Sequence, residues 1–280
     1  MTFSPKVHDG DLPRDIFGVD FSGAADAGKK IWIARGGLER GRLRIEDCYR
    51  GETLPDSGRD RDRCLAALAN FIKLRSDAVF GLDFPFGLPK LLVEDATWEE
   101  FVTRFPDRYE SPEKFRDACR LAAHGTELKR ATDLESKTPF APYNIRLYCQ
   151  TYFGISGILR PLVREGLGCV LPMQRPEAGK PWILEVCPAS TLKGMGLYLS
   201  YKGRRAQHGK ARTRLVEEIQ GRGLLHELDR RIRKLVVDDA GGDALDSVIA
   251  AVATGRALRD QNSAPAGDKD PYRIEGYVYV

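Results

Sequence analysis

The chain opens with short apolar runs divided by polar, glycine-bearing turns, and later gives way to longer periodic segments. Residues 16–20 (IFGVD), 31–34 (IWIA) and 43–49 (LRIEDCY) read as three strands. Their short connections predict an antiparallel meander. Leu65, Leu68, Phe71 and Ile72 then recur at helical spacing within 59–74, and 78–83 (AVFGLD) is apolar again. A strand–helix–strand connection is a crossover, so this fourth strand is expected to run parallel to the third. Residues 87–143 break the pattern with mostly polar sequence that carries two helix starts. One is the capping box Thr97-Trp98-Glu99-Glu100 and the other is Ser111-Pro112. They predict two short helices inserted after the fourth strand as a lid. Leu147, Tyr148, Tyr152, Ile155, Leu159 and Leu162 share one face of a helix over 145–165. Beyond it, 182–186 (WILEV) reads as a fifth strand, 202–234 as a basic helical region, 244–258 as a helix and 277–280 as a last short strand.

Three antiparallel strands, a crossover helix and a further strand match the opening of an RNase H-like fold. The expected class is α/β: a mixed five-stranded sheet, antiparallel in strands 1–3 and parallel in strands 4–5, flanked by helices. One domain is expected over 15–280, after an arm at 1–14, with the helical lid at about 87–143. In that fold the fourth strand lies beside the first. Asp20 and Asp83 would then meet at the carboxyl ends of neighbouring parallel strands, where ligands of open α/β sheets gather.

Composition narrows the chemistry mainly by exclusion. The 280 residues are 42% apolar and 30% charged, which is ordinary for a globular chain. A net charge of +4 is too mild to establish nucleic-acid binding without a concentrated basic face. No two of the six cysteines form a CxxC motif, and none of the four histidines are paired at ligand spacing, so zinc and haem chemistry are not expected. No apolar run approaches the roughly 18 residues of a membrane span. The first residues, MTFSPKVHDGDL, lack a secretory apolar segment. A cytoplasmic protein with free thiols is expected.

The candidate chemistry lies in the acids. Asp20 ends the first strand in GVDFSG, Asp83 ends the fourth in GLDFPFG, and Glu185 stands in LEVCP at the end of the fifth. Asp243 and Asp246, in DALDS, are spaced i, i+3 and share one helix face. Hard divalent cations take such oxygen ligands. Two ions roughly 3.5–4 Å apart can activate a water and stabilise the leaving oxygen of a phosphodiester. Without a cation, clustered carboxylates would raise one another's pKa. Each acid also has a structural reading. Asp20 and Asp83 can make turns, Asp243 can cap its helix with Asp246 as the third-position acid, and Glu185 can pair with an arginine.

The runs GVDFSGA, GLDFPFGLP, LEVCPASTLKG and GDALDSVIAA, with a closing EGYVYV, resemble the domain-of-unknown-function 429 family, described as predicted nucleases of RNase H-like fold. The resemblance spans most of the chain and is least in the lid. It implies that Asp20, Asp83 and Asp246 are catalytic and that these three, with Glu185 and Asp243, bind metal. The late acid pair is also similar to that of Holliday-junction resolvases, which share the fold and bind Mg²⁺. Those carry Glu on the fourth strand, where this chain has the shorter Asp83.

Other signals are weaker. In the basic region, Lys202, Arg204, Arg205, Lys210, Arg212 and Arg214 can neutralise phosphates, and a solvated helix face explains them equally. Tyr143, Tyr148 and Tyr152 can stack bases, but Tyr148 and Tyr152 read better as core. His208 lacks a partner, and Cys187 lacks the paired base a thiol nucleophile needs.

The expectation is therefore a Mg²⁺- or Mn²⁺-dependent nuclease working by a two-metal mechanism on nucleic acid, with a homodimer conceivable for a branched substrate. Two alternatives stay open. Asp20-Phe21-Ser22-Gly23-Ala24 followed by Lys29 is loosely similar to the phosphate hairpin of sugar kinases and actin-like ATPases. A non-catalytic binding protein of the same fold is the other.

Overall fold

The computed structural model describes residues 15–260 and 271–280; the expected arm at 1–14 lies outside the described residues. Strands β1 (Asp15–Asp20), β2 (Trp32–Glu39) and β3 (Arg42–Arg50) form the antiparallel meander. β2 runs five residues beyond the predicted Ala34. Gly36 and Gly37, which read as breakers, are instead paired in the ladder with Ile45 and Arg44. Arg40 and Gly41, with φ of 51° and 75°, turn the hairpin in the geometry that matches strand twist. Helix α1 (Arg61–Lys73) then crosses over to β4 (Ala78–Leu82), which pairs parallel with β1 as expected.

The inserted segment holds three helices rather than two: α2 (Trp98–Arg108), α3 (Pro112–Ala122) and the short α4 (Ala131–Glu135). The two predicted starts are real caps, with Thr97 accepting from the Glu100 N–H and Ser111 from the Lys114 N–H. Their apolar faces are not loose. Trp98, Phe101, Phe105 and Phe115 are buried in the same core as the sheet and the next helix. The insertion is thus a fixed wall packed on the sheet. Helix α5 (148–165) contains a π turn at Ile155–Leu159, where Pro161 has no N–H to continue the regular ladder.

β5 (Cys169–Leu171), which the pattern did not announce, and β6 (Trp182–Val186) extend the sheet with parallel pairing. Then come the helices α6 (Pro188–Gly194), α7 (Ala206–Gly221), α8 (Arg230–Asp238) and α9 (Asp243–Arg259). β7 (Val278–Tyr279) closes the sheet on β6, giving the order β3-β2-β1-β4-β6-β5 with β7 against β6. One core joins the sheet to α1, α5 and the insertion, and a second lies on the opposite face beneath α7, α8 and α9. Among the described residues no helix is long and apolar enough to cross a membrane.

Two glycines in mid-strand set how closely α9 sits. A Cβ on Gly18 would lie 2.1 Å from the Ala251 nitrogen, and one on Gly81 would lie 1.9 Å from Thr254 Oγ1. Gly18 and Gly81 are register partners in β1 and β4, so together they form the flat seat on which α9 rests. That seat carries the start of α9 up to the ends of both strands.

Candidate functional site

Side chains alternate along a strand. Gly18 faces α9, so Asp20, two residues on, faces α9 as well. Asp83 continues β4 beyond Gly81 with the same parity, held in line by its N–H bond to the Val19 carbonyl. Asp246 comes down from the first turn of α9 onto this edge. Asp20, Asp83 and Asp246 therefore converge, with Asp243 at the rim. Asp20 and Asp246 are buried and Asp83 and Asp243 half-buried.

Their titration follows from that crowding. Burial first, then the charges of Asp246 and Asp83, push the Asp20 carboxyl well above the usual range. Burial and Asp246 raise Asp83 to about 8. Asp246 is raised by burial despite a compensating cation. That cation is Lys202, whose Nζ lies 2.6 Å from Asp246 Oδ2 and 3.7 Å from Asp243 Oδ1. The Tyr201 hydroxyl donates to the other Asp246 oxygen at 2.6 Å. Burial and the Asp246 carboxylate keep the Tyr201 hydroxyl protonated, whereas at Lys202 burial favours the neutral amine and is outweighed by the Asp246 and Asp20 carboxylates, which hold the ammonium protonated.

Asp243 is not the helix cap. Gly242, at φ 80°, precedes the helix, and the Ala244 N–H is taken by Asp239. A side chain on Gly242 would also crowd the Tyr201 ring at 3.0 Å. The start of α9 and the Tyr201–Lys202 segment thus fit against each other closely.

Glu185 is placed differently. It is the register partner of Leu82, not of Asp83, so its side chain points to the insertion face of the sheet. There the buried Arg130 guanidinium donates to both its oxygens, at 2.8 and 2.5 Å, and the Phe86 N–H adds a third bond. Arg130 also forks onto Asp133 and donates to the Glu275 carbonyl. The arginine-pair reading of Glu185 is the one its geometry follows, and both its oxygens are spent on Arg130 and the Phe86 N–H.

The basic residues separate as well. Arg212 is buried and donates to the carbonyls of Val237, Tyr201 and Gly203, which corrects its expected surface role. It pins the Tyr201–Gly203 segment that presents Lys202. Arg204, Arg205, Lys210 and Arg214 are exposed around the start of α7. Tyr143 and Tyr152 are core residues whose hydroxyls bond backbone groups. Burial pushes the Cys187 thiol up to about 12, so it is inert as a nucleophile. Arg130 and Tyr201 carried no sequence signal; Lys202 did, but as a phosphate contact rather than as the counter-ion of the acids.

In type, the buried acids suit a hard divalent cation. As they stand, no three His, Cys, Asp or Glu side chains among the described residues approach closely enough to hold one ion. Lys202 and Tyr201 engage both oxygens of Asp246, so the ammonium offsets part of the acids' charge while Asp20 and Asp83 stay raised.

Beside the acids lies a cavity of about 400 Å³. Compared with known proteins, the chain matches no family model, no curated protein and no solved structure. The mixed sheet itself, antiparallel through β3-β2-β1 and parallel beyond, is compatible with the RNase H-like fold.

Proposed function

We propose that this protein is a divalent-metal-dependent phosphodiester hydrolase acting on nucleic acid, of the kind its resemblance to the domain-of-unknown-function 429 family implies. The observation that carries the reading is the convergence of Asp20, Asp83 and Asp246 at one sheet edge, crowded enough to resist ionising. Mutual repulsion of that kind costs stability unless a cation relieves it, and such sites tend to be functional.

In this reading Asp20, Asp83 and Asp246 would hold Mg²⁺ or Mn²⁺ only after Lys202 leaves Asp246 and the carboxylates draw together, with Asp243 contributing from the rim. Such ions, once bound, activate a water and stabilise a leaving oxygen. Tyr201 orients the Asp246 carboxylate. Lys202, with half its side chain exposed, turns its ammonium from Asp246 toward a substrate phosphate. Arg204, Arg205, Lys210 and Arg214 then guide the strand by phosphate contacts that carry no sequence information.

The test is calorimetric titration of Mn²⁺ into wild type and Asp83→Asn with no nucleotide present, followed by cleavage assays in Mg²⁺. Wild type should bind roughly one or two ions that the variant loses, and the variant should not cleave. Undiminished cleavage by Asp83→Asn would remove the assignment.

A further inference from the structure

The cavity beside the acids has three chemically distinct parts. Its floor carries Asp83 and Asp246, with the Lys202 ammonium on the latter. Its apolar lining includes Phe140, Pro188 and Leu199. Its rim carries Arg146, exposed, with its guanidinium 5.5 Å from the centre of the Phe140 ring. Among the described residues Arg146 has no acid at ion-pair distance, so its charge is available to an anion.

Phe140 is held in place from behind. Thr138 donates both to Asp133 and to the Phe140 carbonyl, and Lys129 Nζ donates to the Thr138 carbonyl at 2.6 Å. Asp133 is in turn clamped by Arg130. The aromatic wall is therefore tied to the same buried network that spends Glu185. A wall whose backbone is already fixed needs less ordering on binding.

We infer that this cavity receives a single unstacked nucleotide of the substrate strand, with its base against Phe140, one phosphate on Arg146 and the phosphate to be cleaved at the acidic floor. The inference rests on the hydrolase reading above and names its substrate class. A space of about 400 Å³ is of small-molecule size, so it admits one base and its sugar but not a stacked pair. A base inside a duplex cannot enter without being turned out of the stack. The substrate is accordingly a single strand, or a nucleotide extruded from paired surroundings. A free mononucleotide has the same chemistry and is distinguished by the test.

The experiment measures binding to the full chain in EDTA, by anisotropy of a labelled oligonucleotide offered single-stranded and as a fully paired duplex. The single strand should bind about tenfold tighter or better. Phe140→Ala should weaken that binding about 5- to 150-fold, the span of one base–aromatic stack, while Phe140→Tyr keeps it. Arg146→Ala should weaken it and lower the salt slope by about one phosphate's share. An unlabelled nucleoside monophosphate that competes as well as the strand identifies the free nucleotide as the ligand; competition only at far higher concentration identifies the strand. Equal affinity for duplex and strand, with both alanine variants unchanged and correctly folded by circular dichroism, overturns the inference, as does failure of all three probes to bind. Strand binding without metal-dependent cleavage overturns the hydrolase reading alone. Duplex cleavage untouched by Phe140→Ala overturns the cavity assignment alone.

Discussion

The Lys202 ammonium stands 2.6 Å from Asp246 Oδ2 while half of the lysine side chain remains exposed, so the acid cluster is compensated by a group that can leave. Removing the ammonium strands the acids. Lys202→Met should cost about 1–2 kcal/mol in EDTA, a figure kept small because the lysine is half in water. The melting temperature should fall by about 2–8 °C and recover when Mg²⁺ is added. A variant that melts alike with EDTA and with Mg²⁺ speaks against a cation site here.

The raised acids make stability depend on pH in a definite direction. Below pH 4, near the ordinary aspartate value of 3.8, Asp83 is protonated folded or unfolded. Above it, the folded chain keeps a proton that the unfolded chain has released, until the folded value of about 8 is passed. Stability from this group is therefore complete at low pH and is lost as pH rises through that window. Urea unfolding in EDTA should show wild type losing more stability between pH 5 and pH 8.5 than Asp83→Asn does. Parallel profiles for the two proteins would contradict the burial argument.

Glu185 and Asp83 should part company in a simple pair of measurements. Glu185→Gln weakens the Arg130 pair and should lower stability while leaving Mn²⁺ affinity as in wild type. Asp83→Asn should do the reverse. Arg130→Leu leaves Glu185 and Asp133 buried without their cation, and should cost about 3–5 kcal/mol in chemical denaturation. Loss of Mn²⁺ binding in folded Glu185→Gln would return that residue to the metal site.

The glycine seat admits a sharp test. Gly18→Ala puts a methyl into the backbone of α9 at Ala251, and should destabilise by about 3 kcal/mol despite alanine's smaller entropy cost in a strand. A melting temperature equal to that of wild type would mean that α9 does not sit where the site requires.

The strand pattern was legible because each strand is short, apolar and bounded by turns, and the crossover already put Asp20 and Asp83 at the carboxyl ends of neighbouring parallel strands; parity, which the structure supplies, puts them on one face. The same parity argument places Glu185 on the other face. That depends on the Leu82–Glu185 register, which spacing alone does not fix. Gly36-Gly37 hid the second half of β2 because a glycine pair usually marks a turn, whereas here the backbone of Arg44 packs where a side chain would stand. Arg130, the hub of the buried network, lies in the segment with the least pattern. Nothing in a lone arginine announces that it will be fully enclosed. Arg212 misled for the same reason: charge counts register surface and interior arginines alike.

The seat of Gly18 and Gly81 also bears on the order of assembly. The meander β1-β2-β3 closes through neighbouring residues, but α9 reaches β1 only across more than two hundred residues of chain. Contacts of such separation form slowly. Asp20 and Asp83 can be brought side by side early, whereas Asp246 joins them only when α9 docks, so the repulsion among the acids falls on that docking step. A cation that relieves it would act chiefly by slowing undocking of α9, and so would lengthen the lifetime of the native state more than it hastens its formation.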